Sequence, residues 1–364
     1  MLTALLFFGI LFLLIVTHEF GHFITAKIFG VRVEEFGIGY PPRAFLLGKW
    51  GTTEFSLNWI FFGGFVRLYG EDAETYVKGS FVEAKRWKQA IILVAGVAMN
   101  ALVAWILFAS AFHAGLPRVI QGSFSSDPSA TLMISSVVPG SPAAASGISA
   151  GDTITSVTDQ NGVALSAITP STVADFVKVR GGLHITIDYL HQKIAHTASV
   201  VPANAVIPGE AATPALGVGL VEVSSLSLPW PAALSEGLTN TRDAFVTVLQ
   251  GLRQLVVGAP TGMADLQDVV GPIGLFGLVG SAAQNGAGQV LALAGFIAVN
   301  LAIVNLIPIP ALDGGRLLIV AIEAATRRRM PRIAIQIFNT VGLALIILLV
   351  LVVSYHDVTA RLLA

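Results

Sequence analysis

The chain has 364 residues, of which 54% are hydrophobic and only 12% charged, and its formal net charge is −1. Soluble domains carry about 25% charged residues, so the deficit points to a membrane protein, and the balanced charge leaves no basic field for nucleic acid. Cysteine is absent, which excludes disulfides, CxxC redox pairs and thiolate metal sites; a bound metal would have to rely on His, Asp or Glu.

In chain order, Leu2 to Val16 is an apolar run with no Lys or Arg before it, followed by Thr17-His18-Glu19 rather than a small-residue cleavage site. It is expected to be a retained membrane helix over 1–28 rather than a cleaved signal. Residues 29–86 hold apolar runs interrupted by Gly and Pro: Phe36 to Pro42, Thr53 to Leu57 and Phe61 to Tyr69. They are too broken for a helix, and irregular backbone survives at membrane depth only if paired or covered, so a β-hairpin or small sheet dipping into the membrane is expected. A second span follows within 87–114, from Ala90 to Phe112.

Residues 115–225 change character. Dense turn signals (Pro139 to Pro142, Gly151-Asp152, Asn161-Gly162, Gly181-Gly182) separate short strands, and His184 to Tyr189 alternates as a half-exposed strand does. This predicts an inserted soluble, mainly β domain. Within 226–285, Leu234, Leu238, Phe245, Val248, Leu249, Leu252, Leu255 and Val256 recur at helical spacing, predicting an amphipathic helix on the membrane surface. A third span, 286–326, runs from Val290 to Leu306, breaks at Pro308 and Pro310 and resumes from Leu312 to Ala325; a fourth occupies 333–354. Basic residues cluster between the first and second spans (Lys27, Arg32, Arg43, Lys49, Arg67, Lys78, Lys85, Arg86, Lys88) and between the third and fourth (Arg327, Arg328, Arg329, Arg332). By the positive-inside rule both loops face the cytoplasm, and both termini and the inserted domain lie outside.

Glu19 and Asp313 fall within apolar segments, where an acid costs about 2.5–3.5 kcal/mol on insertion scales. Imidazoles and a divalent cation would offset that cost. His18 and His22 are four residues apart, one turn along one helical face, with Glu19 between them: the HExxH arrangement in which two His bind zinc and the Glu is a general base. A catalytic zinc takes three protein ligands and an open position. Asp313 is the candidate third ligand, because the prolines before it break the helix, Gly314 and Gly315 permit irregular backbone, and a broken helix at membrane depth lines a site. His113, His184, His191, His196 and His356 fall on the predicted outer side and read as ordinary surface or interface residues.

The pair His18-Glu19-Phe20-Gly21-His22 and Asn305-x-x-Pro308-x-Pro310-x-Leu312-Asp313-Gly314 resembles the site-2 protease family of intramembrane metalloproteases. Val33 to Pro41, Gly63 to Asp72, Ala95 to Asn100 and Gly271 to Gly274 look like its bacterial PDZ-bearing, regulator of sigma E protease-like branch, in that order. Ile134 to Ile154 resembles the start of a PDZ domain: a strand, a short helix, a Gly-Asp turn and a second strand. The resemblance implies an α-helical polytopic protein of the bacterial cytoplasmic membrane with about four spans, a membrane-dipping β region and an extracytoplasmic PDZ-like domain. It implies that His18, His22 and Asp313 bind Zn²⁺ and that Glu19 activates water. It further implies that Asn305 and the strand Gly63-Gly64-Phe65-Val66 hold substrate backbone. The implied partners are the lipid bilayer and a single-pass membrane substrate, such as an anti-sigma-factor-like regulator already trimmed by another protease or a remnant signal peptide. One PDZ-like unit is present where some members carry two. The alternative is a catalytically silent scaffold presenting a PDZ domain, which would have no need to keep all four residues; a metal transporter would spread polar ligands over several helices.

Overall fold

In a computed structural model the described residues are 1–71, 78–119, 130–191, 194–204, 206, 213–225, 227–258 and 271–363, without the side chains of 61, 62, 256, 332, 356, 358 and 360–363. Asp72 of the Gly63 to Asp72 run and the side chain of His356 therefore lie outside them. The chain opens with α1 (Leu2–Ile28), the strands β1 (Val33–Trp50) and β2 (Thr53–Leu68), a 3₁₀ turn (Phe81–Glu83) and α2 (Arg86–His113). There follow β3 (Arg118–Val119), β4 (Thr131–Val137), α3 (Pro142–Ala145), β5 (Thr153–Asp159), α4 (Pro170–Lys178), β6 (Ile185–His191), β7 (Ile194–Val200) and β8 (Val218–Ser224). The chain ends with α5 (Trp230–Gly258), α6 (Pro272–Asn285), α7 (Ala287–Leu306), α8 (Asp313–Thr326) and α9 (Arg332–Leu363). Two compact units result: 1–114 with 228–364, and 115–227.

In the first unit four helical stretches among the described residues are long and apolar enough to cross a membrane: Leu2–Ile28, Arg86–His113, Ala287–Leu306 and Ile333–Tyr355. Three of them match expected spans and Ala287–Leu306 matches the part of the third before its break, and the chain is a polytopic membrane protein. Burial within the protein differs sharply, from 44% of the apolar window in α2 to 6% in α9. Leu343, Ile347, Leu348 and Leu351 of α9 are all more than half exposed, a surface that only a lipid solvent leaves unpenalised. Leu14 of α1, Ala104 and Phe108 of α2, Val279 of α6 and Ala298 and Val299 of α7 form the bundle core. Small residues set the helix spacing: at Gly21 of α1 a Cβ would collide with the Ala95 carbonyl of α2.

The region expected to be one amphipathic linker contains two helices, α5 and α6. The apolar stripe of α5 divides: Phe245, Val248 and Leu252 pack on the bundle core, whereas Leu234, Leu238 and Leu249 are exposed. The Trp105 indole of α2 donates to the Leu234 carbonyl at 2.8 Å, tying α5 to the bundle.

β1 and β2 are two long strands that each pair twice. Residues 33–38 pair with 64–68 on one side (Phe36 with Val66, Ile38 with Gly64) and with 54–57 on the other (Phe36 with Phe55, Ile38 with Leu57). Residues 54–57 also pair with 45–49. The two strands thereby fold into a sheet four segments wide, whose buried residues Val33, Phe36 and Leu68 pack on Phe23 and Ala26 of α1 and on Ile92 of α2. Glu35, 5% exposed, pins three segments by accepting from Arg43 at 2.7 Å and pairing with Arg67 at 3.1 Å. Burial opposes ionisation of Glu35, but the Ser56 hydroxyl and the Arg43 and Arg67 charges hold its carboxyl below the usual range.

The second unit is a six-stranded antiparallel sheet, ordered β3-β8-β4-β5-β6-β7. Its own core contains Leu132, Ile134, Ile154, Val157, Val173, Ile185, Ile187 and Val200. Its turns are satisfied locally. Ser141 caps α3, which starts at Pro142; Thr169 and Thr172 form a reciprocal capping box on α4; Asp159 accepts the Asn161 and Val163 amides at 2.9 Å each, closing the Asn161-Gly162 turn. The expected strand, short helix, Gly-Asp turn and strand appear as β4, α3, Gly151-Asp152 and β5.

The break between α7 and α8 follows from Pro308 and Pro310, but the glycines after it serve otherwise than expected. Gly314 and Gly315 are helical residues of α8. Their missing side chains let the loop fold back against them, since a Cβ on either would collide with the Ile307 or the Ile309 carbonyl. The left-handed residue of the loop is Ala311, with φ 69°, and its N–H donates to Asn339 Oδ1 of α9 at 3.3 Å.

Candidate metal centre

α1 places His18 and His22 on the face it turns toward α2, where they are 7% and 6% exposed. α2 makes room with Gly96: a Cβ there would strike His22 and come within 2.7 Å of His18 Cε1. α8 places Asp313 in its first turn, where the helix dipole favours a carboxylate. The three side chains converge although 295 residues separate His18 from Asp313. His18 Nε2 lies 2.9 Å from Asp313 Oδ2, His22 Nε2 lies 3.1 Å from the same oxygen, and the two Nε2 atoms are 3.2 Å apart.

Among the described residues this is the group of His and acids that could hold a metal ion. In a tetrahedral zinc site with bonds of about 2.0–2.1 Å, neighbouring donor atoms stand about 3.3 Å apart. The observed separations are within a few tenths of an ångström of that, so the donor set fits zinc. The outer nitrogens are also held: His22 Nδ1 donates to the Ile92 carbonyl at 2.8 Å, which fixes the tautomer with a free electron pair on Nε2, and His18 Nδ1 lies 3.2 Å from Asn100 Nδ2.

Glu19 is partly buried beside this cluster and faces the curled sheet. Its Cγ is 3.3 Å from a Cβ built on Gly64. The segment Gly63-Gly64-Phe65-Val66 is an edge: it pairs with 36–38 on one side, and no strand lies on its other side among the described residues. Gly63 has φ 124°, and the Tyr40 ring occupies the space a side chain would take. Asn305 at the end of α7 brings its Nδ2 to 3.4 Å from His18 Nε2.

His18, His22, Asn305 and Asp313 thus meet at one place, with Glu19 beside the two histidines on α1 and Gly64 of the Gly63 to Val66 edge against Glu19. Among the described side chains the other His residues do not join them. His113 stacks on Trp230 at 4.3 Å and binds the Leu228 carbonyl, while His184, His191 and His196 belong to the second unit. Sequence reasoning gave no role to two partners, the Ile92 carbonyl and Asn100. A backbone carbonyl leaves no mark in a sequence. Asn100 did, as a polar residue in the middle of an apolar span.

Comparison with known proteins gives one consistent result. The profile described as Peptidase family M50 matches residues 6–349. A provisionally named zinc metalloprotease of Clostridium perfringens is 32% identical, with 95% of each chain covered. Proteins named zinc metalloprotease RasP from Oceanobacillus iheyensis and Geobacillus kaustophilus are 26% and 24% identical, covering 97% and 95% of this chain and 97% and 95% of their own.

Proposed function

Since this chain belongs to Peptidase family M50 and is a membrane-embedded zinc metalloprotease of the site-2 protease type, we propose that it cuts single-pass membrane proteins within or beside their helices. The observation that carries this reading is the convergence of His18, His22 and Asp313 next to an open strand edge, with Glu19 between the two.

In this reading His18 Nε2, His22 Nε2 and a carboxylate oxygen of Asp313 hold zinc, which when bound acidifies water and polarises a carbonyl. Glu19 takes the proton of the attacking water on its carboxylate and passes it to the departing amine. A substrate helix hides its peptide bonds in i to i+4 hydrogen bonds, and unwinding it in lipid strands polar groups at several kcal/mol each. The edge Gly63 to Val66 receives that backbone by strand addition, lying against Glu19 so that the exposed peptide bond is delivered to the base. Asn305, whose Nδ2 is 3.4 Å from His18 Nε2, helps hold the substrate backbone beside the metal.

Positive-inside charge supports a site toward the cytoplasm of a bacterial membrane, with the 115–227 unit and both termini outside. The order β4, α3, Gly-Asp turn, β5 supports a PDZ-like unit that screens substrates already trimmed outside, by size or by new C-termini. Anti-sigma-factor-like regulators and remnant signal peptides fit that requirement. The complete His-Glu-His-Asp set speaks against a silent scaffold. The exposed apolar rim of the curled sheet, with Phe45, Leu47, Trp50 and Trp59 each more than half exposed, supports a sheet that dips into the lipid.

The deciding experiment is Glu19→Gln in purified protein with a helical membrane reporter. Cleavage should fall by about 10³-fold or more while one zinc per chain stays bound. Cleavage that persists would sink the mechanism.

A further inference from the structure

The two histidines of the cluster are oriented by different means. His22 is settled by the backbone: a carbonyl only accepts, so the Ile92 oxygen at 2.8 Å requires Nδ1–H and leaves the electron pair on Nε2. His18 Nδ1 meets the amide of Asn100 at 3.2 Å. An amide can present either its oxygen or its NH₂ group, by a half-turn about its last torsion.

Asn100 is fully buried, and its Oδ1 has no hydrogen-bond partner. With Nδ2 toward His18, the amide donates to Nδ1, so the imidazole proton would sit on Nε2. That nitrogen points at His22 Nε2 and Asp313 Oδ2. A protonated Nε2 has no electron pair for a metal. With the amide turned, Oδ1 accepts from Nδ1–H, and Nε2 presents its pair to the cluster.

We infer that Asn100 is the positioning residue for His18: its Oδ1 accepts the Nδ1–H and so holds the imidazole in its metal-binding tautomer. This rests on the zinc reading above. It gives each histidine one acceptor behind it, a main-chain carbonyl for His22 and a side-chain carbonyl for His18, and only the second can be removed by substitution. The outer partner of a metal-bound imidazole contributes about 10–100-fold to metal affinity.

The test is zinc affinity of the purified full chain in detergent, read by chelator competition, for wild type, Asn100→Leu and Asn100→Asp. Thermal unfolding and size exclusion select the folded fraction of each. Leucine matches the volume but accepts nothing, so Asn100→Leu should bind zinc about 10–100-fold more weakly. Aspartate keeps the acceptor and loses the donor, so Asn100→Asp should restore affinity to within about threefold of wild type or exceed it, as carboxylate–histidine–zinc triads do. Wild-type affinity in Asn100→Leu would overturn the inference. So would an aspartate variant as weak as the leucine variant, because a donating amide or a mere packing role predicts no rescue. A wild-type protein that binds no zinc would instead overturn the metal reading itself.

Discussion

The two units differ in how far along the chain their buried polar groups reach for partners. In the 115–227 unit many partners are near neighbours: Asp159 accepts amides two and four residues away, the Asp152 carboxylate accepts from Ser149 three residues back, and Ser141 caps the amide of Ala144, while Arg180 and His191 reach the same two carboxylates from 21 and 39 residues away. In the helical unit His18 meets Asn100 across 82 residues, Asn305 across 287 and Asp313 across 295. The difference follows from solvent. On the proposed placement of 115–227 in water, its exposed polar groups bond to solvent and many of its buried ones are capped within a turn. A bundle in lipid has no water to spare, so a polar side chain inside a span either bonds to a carbonyl one turn away, as Asn300 does to Phe296, or gathers with others, as His18, Asn100, Asn305 and Asp313 do. Local satisfaction builds a stable scaffold, and long-range satisfaction builds a site.

The largest effect should come from breaking the longest link. Asp313→Ala removes one of three ligands and should lower zinc affinity by more than the 10–100-fold expected of an outer partner, with cleavage lost in proportion. Excising 115–227 should by contrast leave one zinc per chain. Loss of zinc on that excision would erase the distinction between the units. Next in size is the approach of the edge strand to the base. A Cβ on Gly64 would stand 3.2 Å from Ile15 Cγ2 and 3.3 Å from Glu19 Cγ, so Gly64→Val should push the strand off α1. A displacement near 1 Å costs about 100-fold in a positioned reaction. Reporter cleavage should fall toward that extent with zinc content unchanged, and an unaffected rate would remove the strand from the site.

The same contrast explains what could be read from the sequence. His18, Glu19 and His22 lie within one helical turn, so spacing alone groups them. Asp313 stands out because an acid after two prolines in an apolar run needs a partner, although which partner is a tertiary matter. The four spans are legible because lipid imposes length and apolarity together. The curl of β1 and β2 is not: Phe36 pairs with both Val66 and Phe55, and no local pattern tells a strand that it will be used twice. Gly314 and Gly315 misled in detail, since a glycine needed for close approach looks the same in sequence as one needed for unusual backbone. Asn100 was visible as an oddity and acquires a role only when His18 is seen beside it.

A smaller effect confined to the second unit sharpens the comparison from its other side. Residues 115–227 have their own core, so the excised fragment is expected to fold cooperatively in water. Ile187 is 1% exposed, and Ile187→Ala should lower the fragment's stability by about 2–5 kcal/mol, read by denaturant unfolding. In the full chain the same change should leave zinc affinity where it was.

The smallest effect is a slope. The Asp159 carboxyl is held below the ordinary aspartate value by the Val163 amide first, then by the Asn161 amide and the Arg180 guanidinium, against the opposing effect of burial. The guanidinium lies 3.1 Å from Oδ2 through both Nε and the terminal nitrogen. A lowered value in the folded state means that the unfolded chain takes up its proton first as the medium is acidified. The stabilisation is therefore complete above the unfolded value of about 3.9 and is lost as pH falls through the folded value. In Asp159→Asn that titration is gone. The Tm of the fragment should decline less steeply for the variant than for wild type below about pH 5, where the unfolded chain begins to bind protons. Other carboxylates titrate in both proteins and cancel in the difference. Parallel curves would mean that the Val163 and Asn161 amides and the Arg180 guanidinium together give Asp159 no more than water does, and their arrangement would then be a matter of geometry without energetic weight.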